Sequence, residues 1–254
     1  MVFRGEGGRG VNLGTRIRTN GEGAFRNCSA LTSITFPASL TSIANAVHNP
    51  SWGTITGAFA GCSNLQEVIF DNSPAIIGSH AFRNLHNLRR VDFGNNIRQI
   101  ETHAFVFCTS LNTLTIPGSV TSIGNEAFRD SYHWNNFTGL RTVIIEEGVR
   151  TIGASAFDGC GFLTRIEIPE SVTSIGDHAL RGCTNVTVYT LLGSFAADYA
   201  IARGIPVRYI ESRASTLEVS LSTSTPPDHL NLQFTVYNQT KSAEITDFVY
   251  QFPK

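Results

Sequence analysis

Apolar residues recur along this chain in phased columns. The clearest run is Ala104 to Gly124, which opens with Ala-Phe and places Cys108 three residues after Phe105. It continues Leu-x-x-Leu-x-Ile-Pro-x-x-Val-x-x-Ile-Gly. The same order restarts at Ala127-Phe128, 23 residues after Phe105. Anchors of this kind stand at Phe25, Phe59, Phe82, Phe105, Phe128 and Phe157, with Leu180 in the seventh place. Their spacing is 23 residues, apart from two insertions of 11 and 6. In phase with them run Leu31, Leu65, Leu88, Leu111, Leu140, Leu163 and Val186, then Ile34, Val68, Val91, Leu114, Val143 and Ile166. A later column holds Ile43, Ile77, Ile100, Ile123, Ile152 and Ile175. Such a period predicts a solenoid, because one unit cannot bury its apolar side alone and stacked units share an interior.

Within each unit, alternation such as Ile34-Thr35-Phe36 or Ile166-Glu167-Ile168 is strand-like, with alternate residues facing in. Pro37, Pro117 and Pro169 stop that strand, since proline cannot donate to a ladder. Val-Thr-Ser-Ile-Gly predicts a second short strand ended by glycine, and Ala-Phe-x-x-Cys a helical turn or tight corner. Residues 1–20 are rich in Gly and Arg and read as a degenerate preceding repeat.

The Leu-x-x-Leu-x-Ile core and the 23-residue period resemble the BspA-type leucine-rich repeat, from roughly Gly21 to Ile210. The resemblance implies a mainly β leucine-rich-repeat solenoid, right-handed, with parallel strands and short corners. Gly193 to Val207 is similar to the short helix and strand that close such arrays; Ala196 to Arg203 has helical composition, and Gly204 and Pro206 end it. A cap from about residue 193 would cover the open apolar end of a solenoid spanning 1–210. By the same resemblance, the expected role is non-enzymatic binding or adhesion at the cell surface or outside the cell. The partners would be proteins or glycans on host or microbial surfaces.

Where the period breaks, the chain carries its candidate recognition residues. The insertion from Asn45 to Ile55 contains His48 and Trp52, and that from Ser131 to Asn136 contains Tyr132, His133 and Trp134. Both tryptophans of the chain lie in these loops. Inserted loops on solenoids often belong to a binding face, and such side chains recognise surfaces at low entropic cost. The alternative is that each Trp packs on its own loop. On the strand face, the flanking positions include Ser33/Thr35, Thr113/Thr115 and Arg165/Glu167. Glu67, Arg90 and Asp92, with Arg89 beside them, form the most distinctive patch.

Composition narrows the classes. Charged residues are 15%, the net charge is −1 and no basic run occurs, so nucleic acid and anionic membranes have no electrostatic support. No apolar run approaches the ~20 residues that span a bilayer. The N-terminus lacks the apolar stretch of a signal peptide, so either a leader has been removed or export takes another route. The five cysteines share one column, which predicts a ladder of buried thiols rather than disulfides or a metal site. His80, His103 and His178 share another column, read as a polar corner; the competing metal or hydrolase reading would want a third ligand, for which the intervening repeats offer Glu126 and Ser155. No cofactor motif is present. Three Asn-x-Thr triplets, at Asn136, Asn185 and Asn238, fit the glycosylation pattern.

Residues 211–254 leave the period. Leu217-x-Val219-x-Leu221, then Leu230 to Val236, then Ile245 to Phe252, predict three short strands. This β-rich appendage resembles the opening strands of an immunoglobulin-like module or could serve as a homodimerisation element. In a further alternative, the solenoid is a passive spacer that presents it.

Overall fold

The computed structural model describes residues 10–21, 23–49, 54–130 and 139–210, with two short strands at Thr235–Val236 and Ala243–Glu244. The chain divides into two compact units, Met1–Tyr209 and Ile210–Lys254.

The first unit is a solenoid of parallel strands. Its longer strands lie in two sheets, one of four strands ending at Arg90–Asp92 and one of five beginning at Thr113–Ile116. The short second strands form one seven-stranded sheet, from Thr19–Asn20 to Ser174–Ile175. Pairing follows the period: Ile34 stands beside Val68, Val68 beside Val91, Leu114 beside Val143 and Val143 beside Ile166. In the last turn Val188, not Tyr189, stands beside Ile166, so that turn is one residue short of the period. Residues 10–20 supply a further turn, with Gly10–Asn12 paired to Ser33–Phe36 and Thr19–Asn20 to Ser42–Ile43. This turn covers the apolar edge of the Phe25 turn.

The predicted columns are the core. Phe36, Phe59, Phe70, Phe82, Phe105 and Phe157 are all less than 2% exposed. The anchor rings stack one on the next, from Phe25 to Phe157, with centroids 4.8–5.5 Å apart and interplanar angles of 3–15°. A phenyl stack at strand spacing follows from placing the same side chain at the same position of successive turns.

The Ala-Phe-x-x-Cys segments are tight turns rather than helices. From the Phe82 turn onward, a residue with left-handed backbone stands two positions before the anchor, at His80, His103, Glu126, Ser155 and His178 (φ 54–61°). A β-branched residue would be strained there, whereas His tolerates the region better than most. Each turn then hydrogen-bonds to the next through backbone, as in Phe82 N to Ala104 O (2.8 Å) and Phe105 N to Ala127 O (2.8 Å). Turns approach so closely that a Cβ on Gly153 would lie 2.6 Å from the Asn125 nitrogen.

The cysteine column also has a positive role. The thiols of Cys62, Cys108, Cys160 and Cys183 donate to the carbonyls of Phe25, Phe82, Phe128 and Phe157 in the preceding turn, at 2.9–3.4 Å. All five cysteines are free and buried. Burial pushes the Cys62 and Cys183 thiols up to about 12, and raises Cys108 and Cys160 as well.

The C-terminal cap forms at the predicted place. The helix Phe195–Ile201 buries Ala196, Ala197, Tyr199 and Ala200. Ser194 caps its N-terminus, accepting from Ala197 N at 3.1 Å, and shares a hydrogen bond with the Thr190 hydroxyl (2.8 Å). Val207–Tyr209 then adds the last parallel strand. In the second unit the described strands are antiparallel partners, Thr235 opposite Glu244 and Val236 opposite Ala243. The first lies inside the predicted 230–236 strand; the second begins two residues before the predicted 245–252 strand. The rest of that prediction lies outside the described residues.

Candidate functional site

The strand face carries the predicted Glu67–Arg90–Asp92 patch. Glu67 and Arg90 are register partners on adjacent strands, so their side chains stand together on the outer face. The Arg90 guanidinium bridges Glu67 Oε1 (2.6 Å) and Asp92 Oδ2 (3.0 Å). Exposed pairs of this kind contribute about 0–1 kcal/mol each; their effect is to neutralise Arg90 and fix its position. Arg89 is exposed, and among the described residues no acidic side chain pairs with it.

Beside this patch the solenoid opens. In successive turns the residues that start the longer strand reach back to one carbonyl of the turn before. Gln66 and Glu67 N–H donate to Thr32 O, Arg89 and Arg90 to Gln66 O, Arg141 and Thr142 to Asn112 O, Thr164 and Arg165 to Arg141 O. Asn112 and Thr113 occupy the same positions, yet no such bond runs from them to Arg89, and no ladder joins Arg90–Asp92 to Thr113–Ile116. Val91 is only partly buried, whereas Ile34, Val68, Leu114, Val143 and Ile166 in its column are at most 1% exposed. A third sign lies at the following corner. Ser39, Ser73 and Ser171 each donate to a carbonyl of the preceding turn (2.7–2.8 Å), while the buried Ser119 hydroxyl has no partner.

The opening is one-sided. Between the same two turns the short strands remain paired, Gln99 with Ser122 and Ile100 with Ile123, and Phe82 stacks on Phe105 at 5.0 Å. Two local features lie beside it. Asp92 Oδ1 accepts from Gly94 N (3.1 Å), an Asx turn that follows the three-residue strand. Gly94 has left-handed backbone (φ 56°), and a Cβ there would meet Phe70 O at 2.5 Å. In the next turn Pro117 has no N–H to reach back, a lack it shares with Pro37 and Pro169, whose strands stay paired to the turn before, whereas Asp71 and Glu146 at the same position donate at 2.8 and 2.9 Å.

A groove of approximately 550 Å3 follows this seam. Arg89–Asn95 line one wall, and Asn112, Thr113, Thr115, Pro117 and Glu146 the other. A second opening, approximately 540 Å3, lies near the next corner beside Asn96, Arg98, Ser119 and Thr121.

The remaining candidates fall elsewhere. His48 lies in the middle of Val47–Asn49, which pairs antiparallel with Thr54–Thr56, so the first insertion is a hairpin. Trp52, Tyr132, His133 and Trp134 lie outside the described residues. His80 and His103 stack as parallel rings 4.4 Å apart. His103 Nε2 sits 3.1 Å from Glu126 Oε2, which also accepts from Arg129 (2.6 Å). Glu126 is held below the usual carboxylate range: burial acts to raise it, but the Arg129 hydrogen bond and His103 outweigh that. Arg129 leads to the buried carboxylate of Asp158, 3.7 Å away, which accepts from Arg181 Nε at 3.0 Å. The sequence reading placed Glu126 in the histidine column but missed Arg129, Asp158 and Arg181, although aligning the positions just after each anchor places them side by side. Among the described residues, no group of three or more His, Cys, Asp or Glu could hold a metal ion.

The family model for the BspA type leucine rich repeat region matches residues 2–51, 54–139 and 130–201, in six copies. The chain belongs to this family. Solved structures, leucine-rich-repeat proteins among them, share its fold. A leucine rich cell surface protein from Faecalibacterium prausnitzii is 30% identical, with a TM-score of 0.52 over 68% of this chain. The chain spans 43% of that protein's length. The T. pallidum leucine rich repeat protein is 22% identical (TM-score 0.52; 79% of this chain, 86% of that one). The pneumococcal vaccine antigen PcpA is 15% identical (TM-score 0.50; 71% and 42%). No curated protein matches. Among the described residues no helix is long and apolar enough to cross a membrane.

Proposed function

We propose that this chain is a non-enzymatic binding or adhesion protein acting at the cell surface or outside the cell, with the seam groove as its main recognition surface. The observation that carries this reading is the coincidence of the Glu67–Arg90–Asp92 patch with the break between the two sheets of longer strands among the described residues. Regular turns offer satisfied backbone and evenly spaced side chains. The seam instead offers unpaired backbone groups, a partly exposed apolar floor at Val91 and fixed charges. The cell-surface setting is supported by the F. prausnitzii relative, which is described as a leucine rich cell surface protein. The aromatic insertions around His48 and Trp52, and around Tyr132, His133 and Trp134, are proposed as accessory contacts. The hairpin formed by the first insertion gives His48 a defined backbone position.

The test is a groove-filling pair of variants, Val91→Arg and Thr115→Arg, measured against matrix proteins, glycans and microbial cells. Each variant should keep the wild-type circular dichroism and lose binding at least tenfold. Binding retained in both folded variants would remove the groove from the site.

A further inference from the structure

The charges and the unpaired backbone of the groove specify more than a location. Arg89 immediately precedes the strand Arg90–Asp92, and Glu146 immediately follows the strand Thr142–Ile145. The strands run parallel, so these two residues mark opposite ends of the groove along the strand direction. They are also two strand steps apart. At about 4.8 Å per step and about 3.3 Å per residue, the diagonal between them is roughly 19 Å, the span of about six extended residues.

The two ends differ in sign. Arg90 is already bridged by Glu67 and Asp92, whereas no acidic side chain among the described residues pairs with Arg89. Glu146 presents a carboxylate at the far end, where one oxygen accepts from Gly118 N at 3.3 Å. Between the ends lie the partly exposed Val91 and the exposed Thr113 and Thr115. The Thr113 N–H lacks the carbonyl acceptor that its counterparts in other turns have. Backbone groups left open at a strand edge are met by water or by another backbone, and strand addition is the recurring way a peptide meets them.

We propose that the seam groove binds an extended polypeptide segment. An acidic side chain of that segment sits at the Arg89 end, a basic side chain at the Glu146 end about six residues away, and a small apolar residue over Val91. This assignment rests on the groove being the recognition surface. A glycan would satisfy the hydroxyls of Thr113 and Thr115 but has no use for opposite charges at the two ends.

The test uses three synthetic heptapeptides, acetylated and amidated, with a central valine flanked by threonines. One carries Asp first and Lys last, one carries the reverse order, and one has Ser at both ends; the two orders cover both chain directions. Fluorescence anisotropy with the full chain should show one charged peptide binding about tenfold tighter than the Ser peptide. Arg89→Ala and Glu146→Gln should each remove most of that preference, and it should shrink as salt is raised. Equal binding of all three peptides, or a preference that survives Arg89→Ala, overturns the assignment. A chain that ignores the peptides but binds neutral oligosaccharides in a manner abolished by Val91→Arg also overturns it, while leaving the groove as the site. Binding of every probe unaffected by Val91→Arg would overturn both.

Discussion

The serine column offers a comparison in which chemistry and position are fixed and one hydrogen bond varies. Ser73 is 0% exposed and donates to Leu40 O at 2.8 Å. Removing its hydroxyl loses that bond and strands a buried carbonyl, a cost of about 1–2 kcal/mol. Ser171 donates to Val149 O (2.8 Å) and accepts from Gly148 N (2.9 Å), so Ser171→Ala should cost at least as much. Ser119, at the seam, has a buried hydroxyl with no partner. Its desolvation is uncompensated, so Ser119→Ala should be neutral or stabilise by up to about 1 kcal/mol. The expected gap between Ser73→Ala and Ser119→Ala is therefore about 2 kcal/mol. With a urea m-value of about 2 kcal/mol/M, their midpoints should differ by about 1 M, with unchanged slopes. If Ser119→Ala destabilises as much as Ser73→Ala, Ser119 has found its carbonyl and the corner is closed in solution.

Three further outcomes follow from the same geometry. Phe105→Ala removes a ring from the middle of the anchor stack and should cost about 3–5 kcal/mol, read as a lower urea midpoint; a loss under about 1 kcal/mol would mean the stack closes over the gap. His80 is pushed down to about 4, first by burial and then by the nearby charges of His103 and Arg83, against the opposite pull of Glu126. Between pH 6.5 and about 4 the unfolded chain therefore takes up a proton that the folded chain refuses, and stability should fall as pH drops through that window. His80→Asn, which tolerates the same left-handed backbone, should flatten that part of the profile; an unchanged profile would place the titration elsewhere. The thiols of Cys62, Cys108, Cys160 and Cys183, all raised by burial, should react with iodoacetamide only as the chain unfolds. Rapid labelling of any of these in the native protein would contradict the buried ladder.

The turns were legible in the sequence because every one repeats the same sentence. Phe105 predicts Phe128, and both predict the stack. The cap was legible for a similar reason, since Ser194, the alanines after it and Gly204 are local signals. The seam was not, because it is a property of missing bonds. No residue beside it announces it: Pro117 has counterparts in Pro37 and Pro169, whose strands stay paired to the turn before. The Glu67–Arg90–Asp92 patch was visible as charge in a neutral column, but its meaning came from lying beside that opening. Of the corner ions, Glu126 was visible beside the histidine column, but Arg129, Asp158 and Arg181 were hidden because the period was read from its apolar positions, and polar positions facing out at a corner carry no such constraint.

The account turns on the state of the strand edges between the Phe82 and Phe105 turns, and residue-resolved amide hydrogen exchange reads it directly. Asn112 and Thr113 should exchange at least about 100-fold faster than Arg141 and Thr142, which hold the same positions in the Phe128 turn and bond to Asn112 O at 2.8 and 3.3 Å. They should become protected when the preferred charged peptide is added. Equal protection of the two pairs in the free protein would mean that the ladder is closed and that the groove is not the site.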